Sequence, residues 1–389
     1  MADAQIKIED GRRLTQSQLE AILSLPDHDD AEIPQTENLQ STQVYVDEAY
    51  FRAERAGLLK NTPLPLTASA MLPRPKMAMA HDGHGVPVVI TRDKDGLVRA
   101  FLNTCTHRGA KLVEGDEAQD CARLTCPFHA WTFNLNGNLL ALPRPETFPT
   151  LDKKTHGLRE LQTREAGGII WVGMDPRQDY DFSHIEGQLA ADFAAFGMDT
   201  AHIYKRKRFD LKANWKILLE TFMETYHVPP LHKETVAPFF AEVPTKVTMF
   251  GPHTRQTTGR AHFTREALDV HIDQVHKMVT HAYTLFPTAV LVTSPYHINF
   301  ITVMPQAANR TLVDCHMVTR GPADTDKLKD LYARTFEFNM NAVFGAEDFR
   351  AAELVQAGLS SGALENVRFG GLEEALAVFH DEIRKCVAA

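Results

Sequence analysis

The sequence predicts an α+β protein, a small all-β domain followed by a larger domain of helices and antiparallel strands. Three observations predict it. Between residues 86 and 176 the apolar pattern runs at period two, broken by turn signals at Asp95-Gly96 and Asn136-Gly137. Residues 283 to 320 hold several β-branched runs separated by Pro and Asn, which read as antiparallel strands. Helical patterns flank those runs, beginning at 211 and again at 325.

Taken in order, "TQSQLEAILSLP" (14 to 25) has a capping residue, Leu and Ile at helical spacing and a proline stop, and so predicts a short helix. An acidic, polar connector follows to about 42. "VPVVITRDKDGLVRAFLN" and "WTFNLNGNLLALP" predict two hairpins, and "GGIIWVGMDP" predicts a closing strand that ends at Pro176. Residues 178 to 200 read as a polar connection, and 325 to 386 as helix. The domains expected are therefore a helical arm over 1–44, the all-β domain over 45–176 and the larger domain over 177–389.

Composition narrows the function. With 44% hydrophobic and 23% charged residues the 389-residue chain has ordinary globular composition. A net charge of −9 and a pI near 6.1 argue against nucleic acid or anionic membrane as partner. The basic stretch "HIYKRKRFDLK" reads as a solvated strand edge. No run of eighteen apolar residues predicts a membrane span, and "MADAQIKIEDGRR" lacks a signal peptide's apolar stretch, so a cytoplasmic location is expected. Five cysteines in such a chain point to metal or redox roles rather than to a disulfide framework.

Two of those cysteines stand in a pattern. Cys105, His107, Cys126 and His129 give C-x-H, eighteen residues, then C-x-x-H, each pair in a loop beside a predicted hairpin. Zinc would accept two Cys and two His, but its familiar sites group Cys with Cys and His with His. One of each per loop suits a cluster of two unlike irons, both thiolates on one and both imidazoles on the other. Cys121, Cys315 and Cys386 read as core or surface residues.

A second pattern lies further on. In "NWKILLETFMETYHV" (214 to 228) Trp215, Leu218, Leu219, Phe222 and Tyr226 share one helical face, and Glu220, Glu224 and His227 the opposite one. Pro229-Pro230 is expected to stop that helix directly after His227 and to turn His232 back beside it. A third ligand for an oxygen-activating ferrous ion must be a carboxylate. Asp348 lies within the apolar stripe of Phe344, Ala351, Ala352, Val355 and Leu359, where an unpaired carboxylate is costly and a metal or a salt bridge would relieve it. Glu347 and Glu353 read as solvated.

"NTCTHRGAKL" and "CPFHAWTF" resemble the two halves of the Rieske [2Fe-2S] motif, and "NWK", "ETYH", a second His five residues on and "ED" followed by Glu353 and Gln356 resemble the catalytic motifs of Rieske non-heme iron oxygenase α subunits. The resemblance runs from about 103 to 356, although the segment before the cluster lacks a tryptophan that many relatives carry. It implies that Cys105 and Cys126 bind one iron of the cluster and His107 and His129 the other, and that His227, His232 and Asp348 hold a mononuclear Fe(II). Glu224 matches the carboxylate that bridges the two centres across a subunit boundary, where many relatives have Asp. It further implies a helix-grip catalytic domain, a homotrimer and electrons from a separate reductase or ferredoxin, and the chain itself carries nothing like a flavin or nicotinamide site.

The expected activity is O2-dependent hydroxylation of a small, aromatic organic substrate. Its alternatives are O- or N-demethylation, quaternary-ammonium oxidation, a Rieske electron carrier and a non-catalytic zinc module. Phe239, Phe240, Phe286 and Tyr296 are candidates to line an apolar pocket, and three tryptophans held in scaffold motifs leave little for a cation cage.

Overall fold

The computed structural model describes residues 13–27, 30–240 and 245–388. Thr15 caps the first helix, Gln16–Leu23, in a reciprocal box with Gln18. Residues 1–12 and 28–29 of the expected arm and connector lie outside the described residues.

Residues 45 to 61 differ from expectation. They complete a short helical turn and then a fourteen-residue helix, Glu48–Asn61, capped by Asp47. Tyr45, Phe51 and Leu58 join the core of the larger domain, so the expected boundary at 45 precedes the first strand of the β domain, Leu64–Ala68, by a helix. Lys216 Nζ reaches Glu54 Oε1 of that helix at 2.7 Å with both residues fully buried, and Trp215 Nε1 donates to the other Glu54 oxygen at 3.1 Å. Removing one partner of such a pair leaves a buried, uncompensated charge.

The β domain places its two hairpins as predicted. Val88–Arg92 pairs with Val98–Leu102, and Thr132–Phe133 with Leu139–Ala141. Gly96 and Gly137 take φ of +86° and +83° at the turns, conformations that glycine adopts without a Cβ clash. Ile169–Val172 closes the domain against Leu64–Ala68.

The larger domain is a seven-stranded antiparallel sheet built from His202–Leu211, Lys246–Phe250, His253–Gly259, Val279–Leu285, Ala289–Thr293, Ile298–Ala307 and Arg310–Thr319. One face packs on the C-terminal helices and the other on the β domain and on residues 180 to 198. That last segment, expected as a polar connection, carries the helix Ala190–Ala195 with Phe193 buried, and its buried Asp192 pairs with the buried Arg255 at 2.5 Å. The basic strand is not simply solvated either. Arg206 and Arg208 form ion pairs with Asp116 of the β domain and with Asp314, a seam between the domains.

Two histidines in this core predict a pH response. His253 is fully enclosed, accepts the Phe286 N–H at 3.0 Å, and is pushed by burial down to about 3. His316 is likewise pushed by burial down to about 4. Both stay neutral in the folded chain while the unfolded chain protonates them near pH 6.5, so stability falls as pH drops below about 6.5. The loss is roughly 1.4 kcal/mol per pH unit for each group until its folded value is reached. Scanning calorimetry between pH 7.5 and 5.5 should show the melting temperature falling, and a flat profile would contradict the neutral, buried assignment.

Candidate metal centres and catalytic site

The first loop pair converges as the spacing requires. In the loop after Val98–Leu102 the Cys105 N–H donates to Ala110 O at 2.8 Å, and Gly109, at φ +81°, donates back to Cys105 O at 2.9 Å. In the second loop the Cys126 N–H donates to Trp131 O and the Ala130 N–H to Cys126 O. These two tight turns bring Cys105 and Cys126 together in the β-domain core, each about nine-tenths or more buried. Burial pushes the Cys105 thiol up, the backbone of His107 opposes this, and the adjacent Cys126 thiol adds to it. On the outer side the His107 and His129 rings lie 4.7 Å apart, with Trp131 stacked on His107 at 4.9 Å. Nδ1 of both histidines is buried and has no hydrogen-bond partner. Two thiols on one side and two orphaned imidazole nitrogens on the other form a donor set that fits a [2Fe-2S] cluster of unlike irons.

The second group is assembled by different means from those the sequence suggested. The helix expected over 214 to 228 is only Trp215–Glu220, begun by the Asn214 cap. Turns carry the chain through Glu224 to His227, Tyr226 is exposed, and Pro229-Pro230 sits inside the next helical turn, Val228–Leu231, rather than ending a helix. Proline is tolerated there because the first-turn N–H groups have no intrahelical acceptor to lose. His232 follows as the cap of that turn. Asp348 comes from Phe338–Phe349, a π-helical stretch.

Among the described residues, His227, His232 and Asp348 offer donor atoms that all lie within 4.8 Å of one another. His232 Nε2 is 3.0 Å from Asp348 Oδ1 and His227 Nε2 is 3.7 Å from the same oxygen. Two donors about 2.1 Å from one octahedral ion and at right angles lie about 3.0 Å apart, so the group fits a single divalent metal. Two imidazoles and one carboxylate is also the donor set of a ferrous site with positions left open.

The far nitrogens are held as well. Glu224 grips His227 twice, one oxygen on Nδ1 and the other accepting the His227 N–H at 3.0 Å. Glu347 Oε2 holds His232 Nδ1 at 2.7 Å and accepts from Thr235 Oγ1 at 2.7 Å. Burial alone would lower the His232 pKa, but bonds and charge from Asp348 and Glu347 outweigh it and raise the value above the ordinary one. With each Nδ1–H engaged by a carboxylate, each Nε2 is left as the metal-facing atom.

Glu347 corrects an expectation, since it was read as solvated. Successive residues are turned further apart in an α-helix than in the wider π-helix, so the α-helical wheel separated Glu347 from Asp348 while the observed backbone aims both at His232. Glu353 is likewise engaged and accepts the Lys212 N–H, whereas Val355 of the expected stripe is exposed. The four candidate pocket aromatics do not converge: Phe286 is in the core, while Phe239 and Tyr296 are exposed.

Comparison with known proteins follows the same two-part division. Residues 63–152 match the model for the Rieske [2Fe-2S] domain and residues 198–389 the model for the ring hydroxylating alpha subunit catalytic domain. The chain belongs to the Rieske oxygenase α subunits. As such it carries a Rieske cluster and a mononuclear iron, and it is an oxygenase. It is similar to the carnitine monooxygenase oxygenase subunit of Acinetobacter baumannii, 29% identical over 334 residues that cover 82% of this chain and 84% of the relative. The Escherichia coli K12 carnitine monooxygenase oxygenase subunit is 28% identical over 329 residues, covering 82% and 83%. Solved structures share the fold. The quaternary ammonium Rieske monooxygenase CntA in complex with L-carnitine has TM-score 0.74 at 24% identity, covering 89% of this chain and 95% of that one. Naphthalene 1,2-dioxygenase from Rhodococcus has TM-score 0.75 at 16% identity, covering 90% and 94%. No described helix of this α subunit is long and apolar enough to cross a membrane.

Proposed function

We propose that this α subunit oxidises a small quaternary ammonium compound at His227, His232 and Asp348, with electrons delivered from a separate reductase or ferredoxin through the cluster at Cys105, His107, Cys126 and His129. The observation that carries the substrate class is the similarity, along more than four-fifths of both chains, to subunits that act on carnitine. The aromatic substrate expected from the motifs gains no such support, because the resemblance to naphthalene dioxygenase, at 16% identity, is one of fold.

When bound, the mononuclear iron supplies O2 activation and the cluster supplies single electrons. The side chains supply the rest. Glu224 and Glu347 keep the proton of each imidazole on Nδ1, and Phe344 and Phe349, packed beside Asp348, exclude water. A quaternary nitrogen has no lone pair, so oxidation falls on a neighbouring C–H bond. One O2, two electrons and two protons convert that C–H to C–OH and release one water. The hydroxylated ammonium then breaks its C–N bond to give a protonated tertiary amine and a carbonyl compound. We place the Glu224 face, which opens on a cavity of about 300 Å³ lined by Tyr45, Glu220 and His227, against a neighbour's cluster in a homotrimer.

A surrogate reductase with NADH, O2 and a panel of carnitine, choline, glycine betaine and aromatic acids tests the reading. Amine and carbonyl formed in equal amounts from a quaternary substrate are expected. Hydroxylated aromatics with no amine release would overturn it.

A further inference from the structure

The face of the sheet turned toward the iron-ligand helices carries polar groups that the oxygenase reading has not used. Two cross-strand rows define it. One runs Val247, Gln256, Ala282, Val292, Asn299, Met317, and the next runs from Met249 through Thr254, Thr284, Val290 and Ile301 to Cys315. Val290, Ile301, Cys315 and Met317 share a core with Phe344 and Phe349, the neighbours of Asp348. Burial first, then the charge of Asp314, pushes the Cys315 thiol well up, with Lys207 opposing and Asp348 adding to it.

Ala282 and Val292 are partly accessible although they lie on interior strands of the sheet, and Gln256 and Asn299 flank them at 3% and 5% exposure. A small side chain between two larger ones leaves a recess. Three oxygens around it are buried without any partner: Gln256 Oε1, Thr284 Oγ1 and Asn299 Oδ1. Both amides are oriented by their nitrogens. Gln256 Nε2 donates to Thr254 Oγ1 at 2.7 Å, and Asn299 Nδ2 to His297 Nε2 at 3.3 Å. With their nitrogens so placed, each presents its carbonyl dipole, negative end first.

Unpaired buried acceptors are costly, and their cost is removed by a ligand that brings hydrogens or positive charge. The two rows end on the edge strand at Lys205 and Lys207, whose ammonium groups reach Glu337 and Asn341, and the side chains around the recess itself are uncharged. Methyl groups on a quaternary nitrogen have no N–H, but their polarised C–H bonds meet carbonyl oxygens favourably. We propose that Gln256, Thr284 and Asn299 form the cation-recognising wall of the substrate pocket, selecting a trimethylammonium-type head by carbonyl and hydroxyl oxygens in place of an aromatic cage. The assignment rests on the quaternary ammonium reading above and names the residues that would give it specificity.

The test is calorimetric binding to the iron-loaded enzyme without O2, with choline as the cation and 3,3-dimethylbutan-1-ol as its neutral carbon isostere. Wild type should bind choline at least ten-fold more tightly. The Gln256→Met/Asn299→Leu variant should lose that preference while keeping its affinity for the isostere, and Asn299→Asp, which retains an acceptor, should keep the preference. If the wild type shows no preference for the cation, the substrate class fails and this assignment with it. If the preference survives in the double variant, or both probes weaken together, the wall is wrong and the class stands.

Discussion

Replacing His232 by alanine should abolish substrate oxidation while leaving the cluster spectrum unchanged. His232 supplies one of three donors and is the residue that both Glu347 and Asp348 engage. Without it Glu347 loses the imidazole it holds, and a site of one imidazole and one carboxylate holds a divalent ion poorly. The cluster hangs on separate loops in the other domain and shares no ligand with this site. Iron content is therefore expected to fall from about three to about two atoms per chain, with the visible absorption and EPR of the reduced cluster retained. Loss of the cluster signal in this variant, or turnover that persists, would end the assignment of His232 as a ligand. A protein that holds only cluster iron even as wild type would be an electron carrier.

Glu224→Gln is the second large effect. Both Glu224 oxygens are occupied by His227, one at the ring and one at the backbone N–H. A neutral amide can replace only one of those acceptors and turns a donor toward the other. The imidazole then loses the charge that fixes its tautomer, a change that typically costs 10–100-fold in metal affinity or activity. Both metals should remain bound when the iron supply is saturating. Reoxidation of the prereduced cluster in the presence of substrate and O2 should slow by a comparable factor, read by stopped-flow absorbance in a single turnover. An unchanged rate would remove Glu224 from the route between the centres and leave it as a residue that merely shapes the loop.

Much of this molecule is legible one segment at a time. The cluster loops are local: each Cys and His pair sits two or three residues apart in a turn whose glycine or tight backbone bond is written in the same few residues, as at Gly109 and Cys126. The hairpins at Gly96 and Gly137 are local for the same reason, since a positive φ calls for glycine whatever packs around it. Asp348 was legible as a carboxylate among apolar neighbours, a violation of burial rules that needs only helical periodicity to detect.

The misreadings share a cause. A helix was drawn through residues 221 to 227 because apolar spacing continued, but the chain there is held by Glu224 folding back on His227, a preference that periodicity does not carry. Residues 48 to 61 were assigned to the β domain, although their buried partners, Lys216 and Trp215, lie about 160 residues further along the chain. Glu347 was read as solvent-facing because an α-helical wheel was assumed where the backbone is π-helical.

The sequence by itself determined the donor types, their order along the chain and the two-domain division, because each rests on bonds or dihedrals within a few residues. Only the tertiary structure decided which carboxylate holds which imidazole, and that three buried, unpartnered oxygens come from three separate strands on one face of one sheet. Strand register and helix pitch set those meetings, and both are fixed by packing summed over the whole domain rather than by any short stretch of residues.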